Sequence, residues 1–339
     1  VNQRSRHERP VTLFLALYPI GLLGFTLFAL IREPRSGIEA LAQVFAPYFF
    51  LPLLALAPFA LLRGTVILRS ALTSALIAYL AVYPPALNVR PPAAAATLPE
   101  LRAVTWNIYV NQVPTEELLA VFDAHDPDIV ALQETRWRLL ADEPALAERF
   151  PYSLIRPDEA PPGMALLSRY PILAAGVPDL GTDVFDMPRL MWATIDVNGT
   201  PVTVINAHPL APKLNGATCR FMRCYNQGPR DAQISRMRAF IADRMNDAEP
   251  LLVLGDLNVT EREAAYRELA AGLQDAHRTV GMGLGHSWRP GAVRLPVAAI
   301  RIDYMFSHGP IAPLALTTDC TWRGSDHCLL VGRFALGAG

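Results

Sequence analysis

The hydrophobic pattern changes character near Tyr83. Up to that point apolar residues run on with few interruptions, and beyond Glu100 they come in short bursts separated by polar and turn-forming residues. Val11–Ile31 and Leu41–Leu62 contain no charged side chain. A helix that crosses the hydrocarbon of a bilayer needs roughly 20 mostly apolar residues, so both segments predict spanning helices. Gly64–Tyr83 carries Arg69 and stops at Pro84-Pro85, and it is read as a third candidate. Residues 1–83 are therefore expected to hold about three transmembrane helices. The Pro/Ala-rich stretch 84–100 reads as an extended linker.

The bursts that follow have strand length. They are Arg102–Trp106, Asp128–Glu134, Met164–Ile172, Leu190–Val197, Thr203–Pro209, Pro250–Asn258, Ile300–Ser307 and Asp326–Phe334. Two segments keep helical spacing instead. One follows Pro114 and sets Leu118, Leu119 and Phe122 on one face; the other places Ile234, Met237, Ile241 and Met245 along 230–245. Thr260 and Glu263 have capping-box spacing ahead of a third helix. No Gly-rich phosphate loop and no internal repeat occurs. Many strands, few helices and several hairpin-like returns predict an α/β domain over 101–339, with two packed sheets and helices outside them.

Composition sharpens the division. The 339 residues are 52% hydrophobic and 18% charged, with mean hydropathy +0.23 and net charge −1. Residues 1–96 carry eight arginines against three glutamates, a balance of +5 that leaves −6 for the rest. The first apolar run is too long for a signal peptide, whose apolar region spans roughly 7–15 residues, and no small-residue cleavage site follows it. Basic residues before the first span place the N-terminus in the cytoplasm, and three spans then put everything beyond Tyr83 outside it. This predicts a multi-pass protein of the cell (inner) membrane with an extracytoplasmic domain. All four cysteines, Cys219, Cys224, Cys320 and Cys328, lie in that domain, where disulfides persist. Cys219 and Cys224 are expected to pair, and Cys320 and Cys328 are not.

Asn107, Glu134, His208, Asp256, Asn258, Asp303, Asp326 and His327 all fall at or just beyond the ends of apolar bursts. Any one of them has an ordinary use in a turn or a helix cap. Together they form the side-chain set that phosphoester hydrolysis needs. A hard divalent cation takes oxygen ligands from one or two carboxylates and an amide. An anionic phosphoryl group needs donors around it, and an attacking water needs a carboxylate to orient and deprotonate it.

The motifs "TWNI" (105–108), "DIVALQE" (128–134), "LLSRYPI" (166–172), "INAHP" (205–209), "GDLN" (255–258), "RIDYMF" (301–306) and "SDH" (325–327) stand in this order. In that order they resemble the endonuclease/exonuclease/phosphatase superfamily over about 101–334. The resemblance implies a four-layered α/β sandwich with its site where loops of both sheets meet. It also implies Mg2+, or Mn2+, held by Glu134 with Asn107 and Asp326. By the same resemblance Asp256 activates the water and Asn258 holds water or phosphate. His208 and His327 contact the phosphoryl oxygens, and Asp303 orients His327. Nuclease members often carry an acid two residues after the first-motif asparagine; Tyr109 stands there instead.

Substrate class is read from charge and architecture. A nucleic-acid enzyme usually shows a basic footprint, whereas this domain is net acidic and its one lysine is Lys213. Apolar spans ahead of an extracytoplasmic domain are similar to the vancomycin/teicoplanin-resistance-type membrane phosphatases. That implies a bilayer partner and a lipid or lipid-linked phosphate or pyrophosphate as substrate. A membrane-tethered nuclease is the alternative.

Overall fold

A computed structural model describes residues 4–34, 37–88, 98–110, 112–135, 143–156, 163–180, 188–214, 225–246, 249–290 and 298–337. The chain forms two compact units, one of Val1–Pro85 with Lys213–Asn226 and one of Ala86–Pro212 with Gln227–Gly339.

The first unit holds helices α1 (Arg4–Ile31), α2 (Gly37–Val44), α3 (Pro52–Arg63) and α4 (Val66–Val82), with a 3-10 turn at Ala46–Phe50. Two stretches, Pro10–Ile31 and Ala46–Arg63, are long and apolar enough to cross a membrane. The third expected span, Val66–Val82, is apolar but shorter, at 17 residues. Its start is fixed by the Thr65 hydroxyl, which accepts from the Leu68 amide, and Pro84-Pro85 close its end. Nor is Leu41–Leu62 one continuous helix. Pro47 and Pro52 lack an amide hydrogen, so each restarts the chain at a helix N-terminus. Leu53, Leu68, Leu72 and Phe50 are buried together, while Phe14, Leu54, Leu62 and Val66 are exposed. A two-stranded ribbon, Lys213–Leu214 against Tyr225–Asn226, clusters with these helices. Cys219, Cys224 and the residues between them lie outside the described residues, so their expected pairing does too.

The second unit contains two six-stranded mixed sheets. Sheet I consists of β5 (Ile172–Gly176), β6 (Leu190–Val197), β7 (Thr200–Ala207), β8 (Leu251–Asp256), β9 (Gln274–Asp275) and β10 (Asp303–His308), in the spatial order β9-β10-β8-β7-β6-β5. Sheet II consists of β1 (Glu100–Asn107), β2 (Ile129–Thr135), β3 (Tyr152–Arg156), β4 (Gly163–Ser168), β11 (Ile311–Asp319) and β12 (Leu329–Leu336), in the order β11-β12-β1-β2-β4-β3. Each sheet has one parallel pair at its centre, β1 with β2 and β7 with β8. A parallel pair needs a crossover, and α5 (Thr115–His125) and α7 (Gly228–Arg244) supply the two. The smaller helices are α6 (Pro144–Arg149), α8 (Ala264–Ala270) and α9 (Ala276–Val280).

Strand alternation sorts the core into three layers. Leu101, Ala103, Ile129 and Ala131 of sheet II meet Val202, Val204, Leu252 and Leu254 of sheet I between the sheets. The intervening residues Val104, Trp106, Val130 and Leu132 pack on Leu118, Val121 and Phe122 of α5. On the far side Ile205, Leu251 and Val253 pack on Ile234, Met237 and Ile241 of α7. The result is the helix–sheet–sheet–helix sandwich expected from the motifs.

Three local readings change. Met164–Ile172 is not one strand: β4 ends at Ser168 in sheet II, the chain turns through Arg169–Pro171, and β5 begins in sheet I. Glu263 is the residue before α8 rather than its third residue. Its carboxylate still returns to the Thr260 amide, at 2.7 Å. Finally, Ala86 and Leu87, placed in the linker by sequence, pair with Gly283 and Met282. Asn88 then donates to the Arg278 and Gly281 carbonyls at 3.0 and 3.3 Å.

Candidate active site

The polar residues collect where the inter-sheet layer runs out. Asn107 continues the inward phase of Leu101 and Ala103, Asp256 that of Leu252 and Leu254, and Asp303 that of Met305. Asn107 and Asp256 end strands of the two parallel pairs, and Glu134 and His208 lie within one residue of the ends of their partners. Ligands in α/β sheets bind outside such carboxyl ends.

Gln133 and Asn206 hold the two sheets together beneath the site. Both sit in the inward phase and both are fully buried. Gln133 Nε2 donates to Asn206 Oδ1 at 2.8 Å and to Thr105 Oγ1 at 3.0 Å. Asn206 Nδ2 donates to the Leu132 and Ala165 carbonyls at 2.9 and 3.0 Å. A buried amide left unpaired is costly, so this pattern fixes one mutual placement of the strands.

Glu134 departs from the alternation. A register shift separates Gln133 from Thr135 opposite β4, and Glu134 has φ of 55°. The bulge turns a side chain that would follow Leu132 toward α5 into the site instead. Glu134 Oε1 accepts from Asn107 Nδ2 at 3.2 Å and Oε2 from the Val110 amide at 2.9 Å. The same Asn107 amide donates to Asp256 Oδ2 at 3.0 Å.

Gly255 explains how Asp256 reaches this place. Its φ is 142°, and a Cβ there would stand 2.0 Å from the Ala207 carbonyl oxygen. Only glycine allows that approach of β8 to β7. Asp256 Oδ1 then accepts from the Asn258 amide at 2.9 Å. Asn258 itself has φ of 51°, and its side chain donates to the Pro209 carbonyl at 3.1 Å. Buried Arg230 donates to the Asn258 carbonyl at 2.7 Å while pairing with Asp231 and Glu263.

The histidines complete the cluster. His208 Nε2 lies 3.5 Å from Asp256 Oδ2 and 3.7 Å from Glu134 Oε1. His327 Nε2 lies 3.6 Å from Asp256 Oδ2 and 4.0 Å from Asp326 Oδ1. His327 Nδ1 faces both oxygens of Asp303, at 3.1 and 3.0 Å. All eight residues named from the sequence therefore belong to one contiguous cluster.

Burial dominates the electrostatics. It pushes His208 down to about 4 against the pull of Asp256, which leaves the imidazole neutral near pH 7. Burial also opposes protonation of His327, but Asp303 and Asp256 together outweigh it and hold this imidazole well above its ordinary value. Asp256 is raised by burial and by Asp303, partly offset by the two histidines. One histidine is thus kept neutral and the other charged within a few ångströms.

Several contributors were not singled out from the sequence. Ser287 Oγ donates to Asp303 Oδ2 at 2.6 Å and accepts from the Asp303 amide at 3.0 Å. Ser325 Oγ donates to the Asn107 carbonyl at 2.6 Å and accepts from the His327 amide at 2.9 Å. Trp288 Nε1 donates to Asp326 Oδ2 at 3.0 Å. Ser287 and Trp288 lie in an irregular segment, where no periodicity could single them out. Ser325 was visible inside "SDH" but reads as a turn residue. A disulfide joins Cys320 to Cys328 around this loop, contrary to expectation. The ladder explains it: Asp319 pairs with Leu329, so Cys320 and Cys328 are the next opposed positions.

The donor set fits a divalent cation. Asp256, Asp303 and His327 could hold a metal ion, their ligand atoms lying within 4.8 Å of one another. Both Asp303 oxygens are already engaged by Ser287 and His327. Glu134 offers carboxylate oxygens beside the same Asp256, and Asn107, whose Nδ2 bridges the two carboxylates, has its Oδ1 on the Tyr109 amide at 2.9 Å. Asp326 adds a buried Oδ1 without a hydrogen-bond partner, and its carboxyl is raised by burial and by the nearby Glu134 charge. A buried carboxylate oxygen lacking a donor is what a cation satisfies.

Residues 104–327 match the Endonuclease/Exonuclease/phosphatase family. The chain belongs to that family, whose members hydrolyse phosphoesters. Similar folds occur in a Neisseria 3' phosphatase, NExo, bound to product DNA hairpin (21% identity, TM-score 0.55), and in D. rerio TDP2 complexed with single strand DNA product (20%, 0.54). These cover 68% and 69% of this chain and 98% of each of theirs. An endonuclease/exonuclease/phosphatase family protein from Bacteroides thetaiotaomicron is 15% identical with a TM-score of 0.54, covering 71% of this chain and 99% of its own. No match was found among curated proteins.

Proposed function

We propose that this protein is a membrane-tethered, divalent-metal-dependent phosphoester hydrolase acting on a lipid or lipid-linked phosphate or pyrophosphate at the outer face of the membrane. The observation that carries the chemistry is the convergence of Glu134, Asn107, Asp256, His208, His327 and Asp326 at one end of the inter-sheet layer.

Glu134, Asn107 and Asp326 would hold the cation, taken as Mg2+ with Mn2+ as its substitute. When bound, it neutralises phosphoryl charge and stabilises charge developing on the oxygens. The protein's side chains do the rest. Asp256, held by the Asn258 amide and Asn107, orients a water and accepts its proton. Charged His327, fixed by Asp303, and Asn258 present donors to the phosphoryl oxygens. Neutral His208 adds a directional hydrogen bond from the other sheet.

Three observations support a lipid substrate. The N-terminal unit has two helices apolar enough to cross a bilayer. Lys213–Leu214 and Tyr225–Asn226, which lie in the chain between His208 and α7, cluster with those helices. Tyr109 stands where nucleases often carry a further acid, and its ring is exposed. A tethered nuclease is the second reading, favoured by the product DNA bound in the NExo and TDP2 structures. The test compares the full chain with Ala86–Gly339 alone on substrate in vesicles and on a water-soluble analogue. Tethering raises enzyme concentration at the surface, so the shorter chain is expected to lose activity on vesicles alone. Cleavage of DNA in preference to either substrate would replace the lipid reading with the nuclease reading.

A further inference from the structure

Ser287–Arg289 supplies none of the ligands above, yet it grips three members of the site. Ser287 holds Asp303. Trp288 forms β-bridges to both Ile300 and His327. The Arg289 amide donates to the Asp326 carbonyl at 3.1 Å, and its guanidinium donates to the Cys320 and Ser325 carbonyls at 2.7 and 3.4 Å. The loop carrying Asp326 and His327 is thus tied down along its length from one short segment.

Within that grip Trp288 has a distinct part. Its indole N–H donates to Asp326 Oδ2 at 3.0 Å, while Oδ1 of the same carboxylate is buried without a hydrogen-bond partner, 4.0 Å from His327 Nε2. An indole N–H is a donor only, so it cannot itself ligate a cation. Tying one oxygen fixes the plane of the carboxylate and leaves the other as the one that accepts no hydrogen bond. We propose that Trp288 is a positioning residue, which by holding Oδ2 presents Oδ1 of Asp326 to the divalent cation shared with Glu134 and Asn107. The inference rests on the metal-dependent reading of the site. Partners of this kind commonly change metal affinity by about 10–100-fold when removed.

The test uses the full chain in detergent with Mn2+ as probe, counting bound ion by electron paramagnetic resonance. Trp288→Phe keeps a ring at this half-buried position and removes the donor. It is expected to weaken Mn2+ binding by about tenfold or more, with the melting temperature of the metal-free protein little changed. Trp288→His, which keeps a ring N–H, is expected to recover part of the loss. In an Asp326→Asn background, Trp288→Phe is expected to add nothing, since residues that act through one another are not additive. Unchanged Mn2+ affinity in Trp288→Phe overturns the proposal, as does an undiminished further loss in the Asp326→Asn background. A parent protein that binds no Mn2+ overturns the metal-dependent reading itself.

Discussion

Asp256 and Asp303 face each other across the antiparallel ladder, the last residue of β8 opposite the first of β10. One backbone register therefore sets two carboxylates side by side in the inward phase. Their partners then separate their roles. Asp303 is taken up by Ser287 and His327, whereas Asp256 faces Asn107, both imidazoles and Asn258.

From that separation, Asp256→Asn is expected to lower kcat by about 10²–10⁴-fold, the usual value of a general base. Asp303→Asn acts only through the placement of His327 and should cost less, about 100-fold or below. Steady-state kinetics on one substrate decide it. Equal losses in the two variants would put Asp303 in direct contact with the reacting groups.

Gly255→Ala should be damaging although it adds a single methyl group. The new Cβ meets the Ala207 backbone oxygen, which cannot swing aside as a side chain can. Strain at such a backbone conformation is about 1–3 kcal/mol before any clash is counted. Thermal denaturation should show a clear loss of stability, and the displaced Asp256 should lower kcat as well. Unchanged melting temperature and activity would mean that β8 ends differently.

The buried network of Arg301, Arg278, Glu261 and Asp275 predicts a pH effect on stability away from the site. Burial alone would raise Glu261, but Arg278 and Arg301 outweigh it and leave its folded value below the ordinary one. A depressed carboxylate stabilises the fold above its unfolded value, about 4.3, and that contribution is lost as pH falls through the lower folded value. Asp275 behaves in the same way. Glu261→Gln should therefore lower the melting temperature near pH 7 and flatten its fall on the acid side. An acid limb as steep as the parent's would assign that limb to other groups.

Much of the site was legible because it is built from strand ends. Asn107, Asp256 and Asp303 share the inward phase of their strands, so apolar alternation bounded by a polar residue marked them directly. Glu134 was found by motif, but its direction was not, since a bulge with positive φ reverses the phase that alternation predicts. Asn206 was passed over as a polar residue in an apolar run; sharing a phase with Val202 and Val204 was the available signal. Ser287 and Trp288 act from irregular chain, and the Cys320–Cys328 pairing depends on a ladder register that sequence spacing does not contain. In the N-terminal unit hydropathy located the apolar segments but not their breaks, which Pro47 and Pro52 set.

The central claim is that Glu134 anchors a cation for hydrolysis of a lipid-linked phosphoester, and Glu134→Gln tests it most directly because it removes charge with almost no change in volume. The measurement is release of phosphate from a polyprenyl pyrophosphate in vesicles by the full chain, titrated with Mg2+ and compared between parent and variant. The account predicts Mg2+-dependent release by the parent and a loss of more than about 100-fold in the variant, with the melting temperature little changed. Release that persists in Glu134→Gln, or that proceeds equally without Mg2+, would contradict it.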